Sequence, residues 1–96
     1  MLGFGLAHDT EPAVAMRVPG MLQEIVERQK PVRFDRSHLK AIGDWSLEYE
    51  VVYFVLTPDY LTHMNIQQAI NLAVLERFRA EKVTLATAYR SPTLGR

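Results

Sequence analysis

The fold of this chain is decided by residues 45–56, which read WSLEYEVVYFVL. The odd positions all carry apolar or aromatic residues, whereas Ser46, Glu48 and Glu50 occupy the first even positions. Because successive side chains of a strand point to opposite faces of the sheet, this alternation predicts one long β-strand with a buried face. The predicted core-facing residues are Trp45, Leu47, Tyr49, Val51, Tyr53 and Val55.

The opposite face of this strand changes character after residue 50. Val52, Phe54 and Leu56 replace the polar residues there, so this end of the strand is expected to be covered on both sides. If the helices cover the odd face, these three side chains lie on the open side of the sheet, where an apolar surface usually marks an interface. We therefore predict that Val52, Phe54 and Leu56 form an interface. The alternative is extra core, covered by the C-terminal tail.

Three elements precede this strand. Residues 2–7 read as a strand, and residues 19–29 as a helix that starts at a proline and has one apolar face. Residues 32–39 read as a second strand, with a slip of register between Phe34 and Leu39. Gly43-Asp44 then supplies a turn, so a hairpin into the decisive strand is expected.

Two elements follow it. Asn65 and Gln68 have the spacing of a capping pair, with Met64 as the preceding apolar residue, and predict the start of a second helix. Residues 82–88 return to a strand pattern. The predicted fold is α+β: a ferredoxin-like βαββαβ domain with a four-stranded antiparallel sheet and two helices on one face. The domain occupies residues 1–88 and a turn-rich tail occupies residues 89–96.

Composition excludes several classes of protein. Eleven basic and eleven acidic residues cancel, so no global field would attract nucleic acid. Tyr49 and Tyr53 have the spacing of base-stacking aromatics, but they share the predicted core face. The chain has no cysteine, hence no disulfide framework, as in a reducing compartment. Its apolar runs are far shorter than the roughly 20 residues of a membrane-spanning helix.

Candidate chemical sites are weak. His8, His38 and His63 lie in separate segments without metal-ligand spacing. Glu48 and Glu50 would lie about 7 Å apart on a strand, but on a solvated face that does not suit a catalytic acid. We therefore expect no enzyme activity, no metal and no cofactor.

The same residues resemble a known family. Residues 45–60, WSLEYEVVYFVLTPDY, and residues 64–71, MNIQQAIN, are similar to a strand and the following helix start in the C-terminal cytosolic domain of small-conductance mechanosensitive (MscS) channels. Earlier segments that resemble this domain are GFGLAHDT at 3–10, PGMLQEIV at 19–26 and VRFDRSHL at 32–39. The resemblance covers roughly residues 2–86. The end departs from it: residues 86–93 read ATAYRSPT, where the family usually has a Phe-Pro-Thr-like segment leading to a small barrel.

The resemblance implies a function in a larger protein. The domain would form part of the cytosolic vestibule of a bacterial channel that opens under membrane tension and releases osmotic pressure by letting ions pass. It would lie on the cytoplasmic side of the inner membrane, itself soluble, and reach the membrane only through upstream segments. Its partner would be itself, in a ring of seven, with Val52, Phe54 and Leu56 facing a neighbouring copy and the tail starting a barrel strand.

Two other functions remain open at this point. A stand-alone ferredoxin-like domain could bind a small regulatory ligand as a dimer, and apolar segments of about 20 residues encoded upstream would argue against it. An acylphosphatase-like enzyme on the same topology would need a phosphate-cradling loop after the first strand. Asp9-Thr10-Glu11 is acidic there, which disfavours that reading.

Overall fold

The chain folds around a three-stranded antiparallel sheet. A computed structural model describes residues 2–86 and places β1 at Leu2–Leu6, β2 at Val32–Ile42 and β3 at Leu47–Val55. The strand order is β1-β3-β2, so the strand that decides the fold is central. The α+β class and the antiparallel pairing predicted from the sequence are confirmed.

The β2–β3 hairpin is irregular in the place that the sequence indicates. Its register shifts between Phe34 and Arg36, and again just after Leu39. The predicted slip between Phe34 and Leu39 is therefore confirmed as a bulge, which bends the strand and increases its twist. The turn is closed by the Gly43 backbone N–H, which donates to the Ser46 carbonyl at 2.8 Å.

The first helical segment is divided in two. Helix α1 spans Pro12–Ala15 and helix α2 spans Val18–Glu27. Helix α2 begins one residue before Pro19. A proline is tolerated there because the backbone N–H groups of the first helical turn have no acceptor within the helix. The structure thus agrees with the predicted helix at 19–29 to within two residues at each end.

Helix α3 spans Tyr60–Ala80 and begins five residues before the predicted start at Asn65. Its N-cap is Asp59, whose carboxylate accepts hydrogen bonds from the backbone N–H and the hydroxyl of Thr62 at 3.0 and 2.5 Å. Asn65 and Gln68 lie inside the helix, so the predicted capping pair is wrong. The Asp59 carboxylate already satisfies an orphan N–H of the first turn, and the helix starts there.

The cap makes a prediction about acid stability. Asp59→Ala should lower the urea midpoint of unfolding at neutral pH, because the Thr62 N–H loses its acceptor. The side-chain and backbone hydrogen bonds of Thr62 hold the pKa of Asp59 below its ordinary value of 3.8. Its stabilisation is therefore present above that value and lost as the pH falls through the lower folded-state pKa. Urea titrations at several pH values should show the gap between variant and parent closing in acid.

The matched control for this prediction is Asp44→Ala, which removes an exposed carboxylate from the hairpin turn. Its urea midpoint should stay close to that of the parent. Equal midpoints for the Asp59 and Asp44 variants at neutral pH would contradict the role of the cap.

The hydrophobic core lies between the odd face of β3 and two helices. Leu47, Tyr49 and Val51 are buried, as predicted, and the side chains of α2 and α3 pack in the same cluster. The helical members of this core are Val18, Met21, Leu22, Ile25, Val26, Ile66, Ile70, Val74 and Phe78. Both longer helices thus cover one face of β3, and the even-numbered residues of β3 lie on the other.

The predicted fourth strand is present within residues 2–86 as a single bridge. Leu85 forms an antiparallel bridge with Leu6, and the flanking backbone hydrogen bonds are Ala7 N–H to Thr84 O at 3.0 Å and Ala86 N–H to Gly5 O at 2.9 Å. This segment runs along the side of β1 that does not pair with β3. The remainder of the predicted strand and the whole tail at 89–96 lie outside the described residues.

Candidate assembly surface

The open face of the sheet carries an exposed apolar patch at the end of β3. Phe54 is 45% exposed and Leu56 60% exposed, and Val52 is half-buried. Their positions alternate with those of the core residues of β3, so they lie on the face away from the helices. The second cover that the sequence predicts here is not supplied by residues 2–86. We call Val52, Phe54 and Leu56 the sheet patch.

Basic side chains from β2 flank the sheet patch. Arg33 is the cross-strand neighbour of Phe54, and its guanidinium carbon lies 4.5 Å from the centre of the ring. That geometry is a cation–π contact, which also holds the ring in place. Arg36 is the neighbour of Val52 and pairs with Asp35. An apolar centre beside a basic rim is therefore the chemical character of this surface.

The sheet patch also lies at an edge. Strand β1 pairs with β3 only as far as Val51, which lies opposite Leu2. Within residues 2–86, β3 from Val52 onward has a strand partner on the β2 side alone. Within the described residues this part of β3 is therefore a sheet edge, the arrangement to which a further strand can add.

The polar half of the open face has a different shape. Gly3 and Gly5 of β1 lie opposite Glu50 and Glu48 and contribute no side chains, which leaves a shallow groove of about 430 Å³. Glu48 is exposed, and Glu50 pairs with Lys40 at 3.7 Å. The structure places both glutamates on the polar face of β3, as the sequence predicts, with Glu48 exposed and Glu50 half-buried.

Trp45 does not lie where the sequence predicts. It was expected on the core face of the strand, but β3 begins at Leu47 and Trp45 is mostly exposed, lining the groove. The hydrogen bond between Gly43 and Ser46 keeps this residue inside the turn. The alternation of buried and exposed side chains therefore starts at Leu47, two residues later than the sequence pattern predicts.

Helix α3 has a second apolar side that the sequence reasoning missed. Leu61, Leu72 and Leu75 are all at least half exposed. At 100° per residue they fall on the side of the helix opposite the buried residues Ile70 and Val74. A helical wheel of residues 60–80 would have found them, since apolar residues on both sides leave the helix almost without amphipathicity. We call Leu61, Leu72 and Leu75 the outer α3 stripe.

An ion-pair network fixes α3 against α2. Arg77 contacts Glu24 of α2 at 2.9 Å and Glu81 at 3.2 Å, and Arg17 contacts Glu81 at 3.3 Å. Hydrogen bonds from Arg77, then from Arg17, lower the pKa of Glu81. These side chains are engaged within the chain. Of the charged residues near the outer α3 stripe, Glu76 and Arg79 form no ion pair among residues 2–86.

Comparison with protein families identifies this architecture. Residues 2–85 match the family described as mechanosensitive ion channel MscS, C-terminal. The chain belongs to the MscS family. The match includes every helix and strand described above, from β1 to the end of α3, and the resemblance found in residues 45–71 is confirmed.

A relative of this MscS domain is the small-conductance mechanosensitive channel MscMJ of Methanocaldococcus jannaschii. The two are 32% identical over 88 residues, which is 90% of this chain and 25% of the relative. The chain therefore spans about a quarter of the length of the curated relative it matches. No solved structure was found to match.

No helix within residues 2–86 combines the length and apolarity of a membrane span, and this part of the chain holds no group of three or more metal-ligating side chains. His8 and His63 each contact a backbone carbonyl, of Gly43 at 2.6 Å and of Thr57 at 2.7 Å. The two imidazoles thus have local structural contacts.

Proposed function

We propose that this chain is a cytosolic vestibule and assembly domain of a small-conductance mechanosensitive channel, and that it associates with copies of itself in a ring of seven. The observation that carries the proposal is the sheet patch: three apolar side chains on the face away from the core, two of them well exposed. Exposed apolar surface of this kind commonly marks an interface. Membership of the MscS family supplies the context.

The task of such a domain is mechanical and steric. It holds subunits together and sets the size and charge of the openings through which solutes reach the pore, without catalysis, metal or cofactor. In the full-length protein, ion passage would release osmotic pressure, and segments beyond this chain would cross the membrane with the domain on its cytoplasmic side. A bacterial source stays a prediction, since the relative named above is archaeal.

The proposal includes a complete ferredoxin-like fold. The Leu6–Leu85 bridge supports a fourth strand at residues 82–88 beside β1, which would give the order β4-β1-β3-β2 across the domain at residues 1–88. The proposal also includes the tail at residues 89–96 as the start of a barrel strand; this tail lies outside the described residues.

Phe54→Glu in the channel subunit tests the assembly role. A charge placed inside an apolar contact is costly unless it is paired and hydrogen-bonded, so we expect the cross-linked oligomer to fall to less than about a tenth of the parent's yield. Circular dichroism of the variant should match the parent, because Phe54 lies outside the core.

Met16→Glu is the matched control for this experiment. It introduces the same charge at an apolar side chain that is more exposed than Phe54 and lies at the C-terminal end of α1, outside the sheet. Its oligomer yield should equal the parent's. A ring of normal stoichiometry in the Phe54 variant would refute the interface assignment.

A regulatory ligand-binding domain is the second candidate, favoured by the groove over Gly3 and Gly5. Its volume of about 430 Å³ falls within the range of small-molecule sites, and Trp45 lines it. Screening a metabolite library by the fluorescence of Trp45, the chain's single tryptophan, would support this function if a ligand shifted the emission. Trp45→Phe should retain the binding heat of a true ligand while losing the optical signal.

A further inference from the structure

Two different apolar surfaces lie on opposite sides of this domain. The sheet patch belongs to the open face of the sheet, and the outer α3 stripe belongs to the side of α3 that points away from the core. Identical subunits that associate around a ring use unlike surfaces at each contact, because every subunit meets one neighbour in front and another behind. A chain with one apolar surface on each side meets this requirement.

Each of the two surfaces carries a charged side chain that could pair with one on the other. Arg33 stacks on Phe54 at the rim of the sheet patch, and Glu76 follows Leu75 at the rim of the outer α3 stripe. Neither forms an ion pair within residues 2–86. The sheet patch thus presents a cation, Arg33, whereas the outer α3 stripe presents an anion, Glu76, and a cation, Arg79, which follows Leu75 by one helical turn. Of these, Glu76 is the charge that can pair with Arg33.

We infer that the outer α3 stripe of one copy packs on the sheet patch of the next. Leu72 and Leu75 would contact Phe54 and Leu56, and Glu76 would pair with Arg33. The inference rests on the proposed self-association and deepens it by naming the surface that meets the sheet patch. It makes the contact between subunits heterologous, from helix to sheet.

The dimensions of the two surfaces suit each other. Leu72 and Leu75 are three residues apart on a helix, about 5 Å along its axis. Phe54 lies in β3, and Leu56 follows the last residue of that strand, Val55; two residues of extended chain span about 7 Å. Two leucines on one helical turn can therefore contact both side chains at once.

Contacts between like surfaces are less favourable. Two sheet patches placed face to face would bring their Arg33 side chains together, and like charges oppose association. Two outer α3 stripes placed face to face would leave both sheet patches in water. The contact of helix with sheet covers both apolar surfaces of every copy and joins opposite charges.

Charge reversal tests the pairing in the channel subunit that carries this domain. Arg33→Glu and Glu76→Arg should each weaken self-association about tenfold, since each places like charges opposite one another. The double variant restores opposite charges and should return to within about threefold of the parent. Both residues are exposed, so melting curves should stay unchanged. A double variant as weak as the sum of the singles would overturn the inference.

Cysteine cross-linking tests the orientation, since this chain has no cysteine of its own. In a subunit free of other cysteines, Phe54→Cys and Leu75→Cys should not cross-link singly. Mixed together they should give covalent dimers, and the double variant should give a ladder beyond the dimer. Dimers of the Phe54 variant alone would overturn the inference and favour contact between sheets. Oligomers without any of these cross-links would overturn it while leaving the proposed function intact, whereas monomeric parent protein would reject both.

Discussion

Phe78→Ala should lower the free energy of unfolding by about 3–5 kcal/mol, the usual cost of removing a buried aromatic ring from a core. Phe78 is 1% exposed and belongs to the cluster that joins α2, α3 and β3. A domain of this size has a free energy of unfolding of roughly 5–15 kcal/mol, so this substitution removes a large part of the stability. Urea denaturation followed by circular dichroism measures it directly.

Phe54→Ala is the matched control, the same substitution at a ring that is 45% exposed. It should cost less than about 1 kcal/mol, because most of the ring already contacts water and only the cation–π contact with Arg33 is lost. The two variants separate folding from assembly, since only the Phe54 variant should weaken self-association while remaining folded. Equal losses of stability would contradict the placement of the core.

Tyr49→Phe should cost about 1–3 kcal/mol although it removes only one oxygen atom. Tyr49 is 2% exposed, and its hydroxyl donates to the backbone carbonyl of Ala15 at 2.9 Å. Without that donor the partly buried carbonyl loses its partner, and an unmet buried acceptor is costly. Tyr60→Phe is the control, because Tyr60 lies exposed at the start of α3. It should leave the urea midpoint unchanged, and an equal shift in both variants would contradict the role of this hydrogen bond.

The same tyrosine gives this prediction a test in alkali. Burial raises the pKa of Tyr49 above its ordinary value of 10.0, and burial likewise raises that of Tyr53. A folded-state pKa above the unfolded one means that the stabilisation is complete below about pH 10 and is lost as the pH rises through the folded value. The stability of the parent should therefore fall in alkali, and Tyr49→Phe should flatten that fall.

Local patterns predicted the sheet well. The alternation at 47–51 and the slip after Phe34 depend on neighbouring residues, and both appear in the structure at those places. The even positions after residue 50 were predicted to lie on the face away from the helices, which the exposure of Phe54 and Leu56 bears out. Their role as an interface stays a prediction, because a single chain does not contain its neighbour.

The errors have physical causes of two kinds. Helix α3 starts at Tyr60 because the carboxylate of Asp59 caps it. Asn65 and Gln68 have the sequence pattern of a capping pair, but they lie inside the helix, where no cap is formed. Trp45 is held in a turn by a hydrogen bond that alternation does not reveal. In both cases backbone geometry overrode a valid sequence pattern.

The outer α3 stripe was missed for another reason. The buried stripe of Ile66, Ile70, Val74 and Phe78 explains the helix by itself, so the remaining leucines read as ordinary helix formers. Only the exposure of these leucines in the folded chain shows that they form an apolar surface. Three-dimensional packing decides that exposure, and no pattern of nearest neighbours contains it.

The half-paired end of β3 has a consequence for biosynthesis. Residues 51–56, VVYFVL, form an uncharged run of strand-forming side chains, the composition that promotes aggregation when it is exposed. Helix α3 follows this run in the sequence, so a growing chain must extend some twenty-five residues further before both helices that cover the odd face are present. Until then, Glu50 before the run and Pro58-Asp59 after it should limit aggregation, because charges and proline disfavour strand pairing between chains. Chains that stall between residues 56 and 80 should therefore be the species most in need of a chaperone.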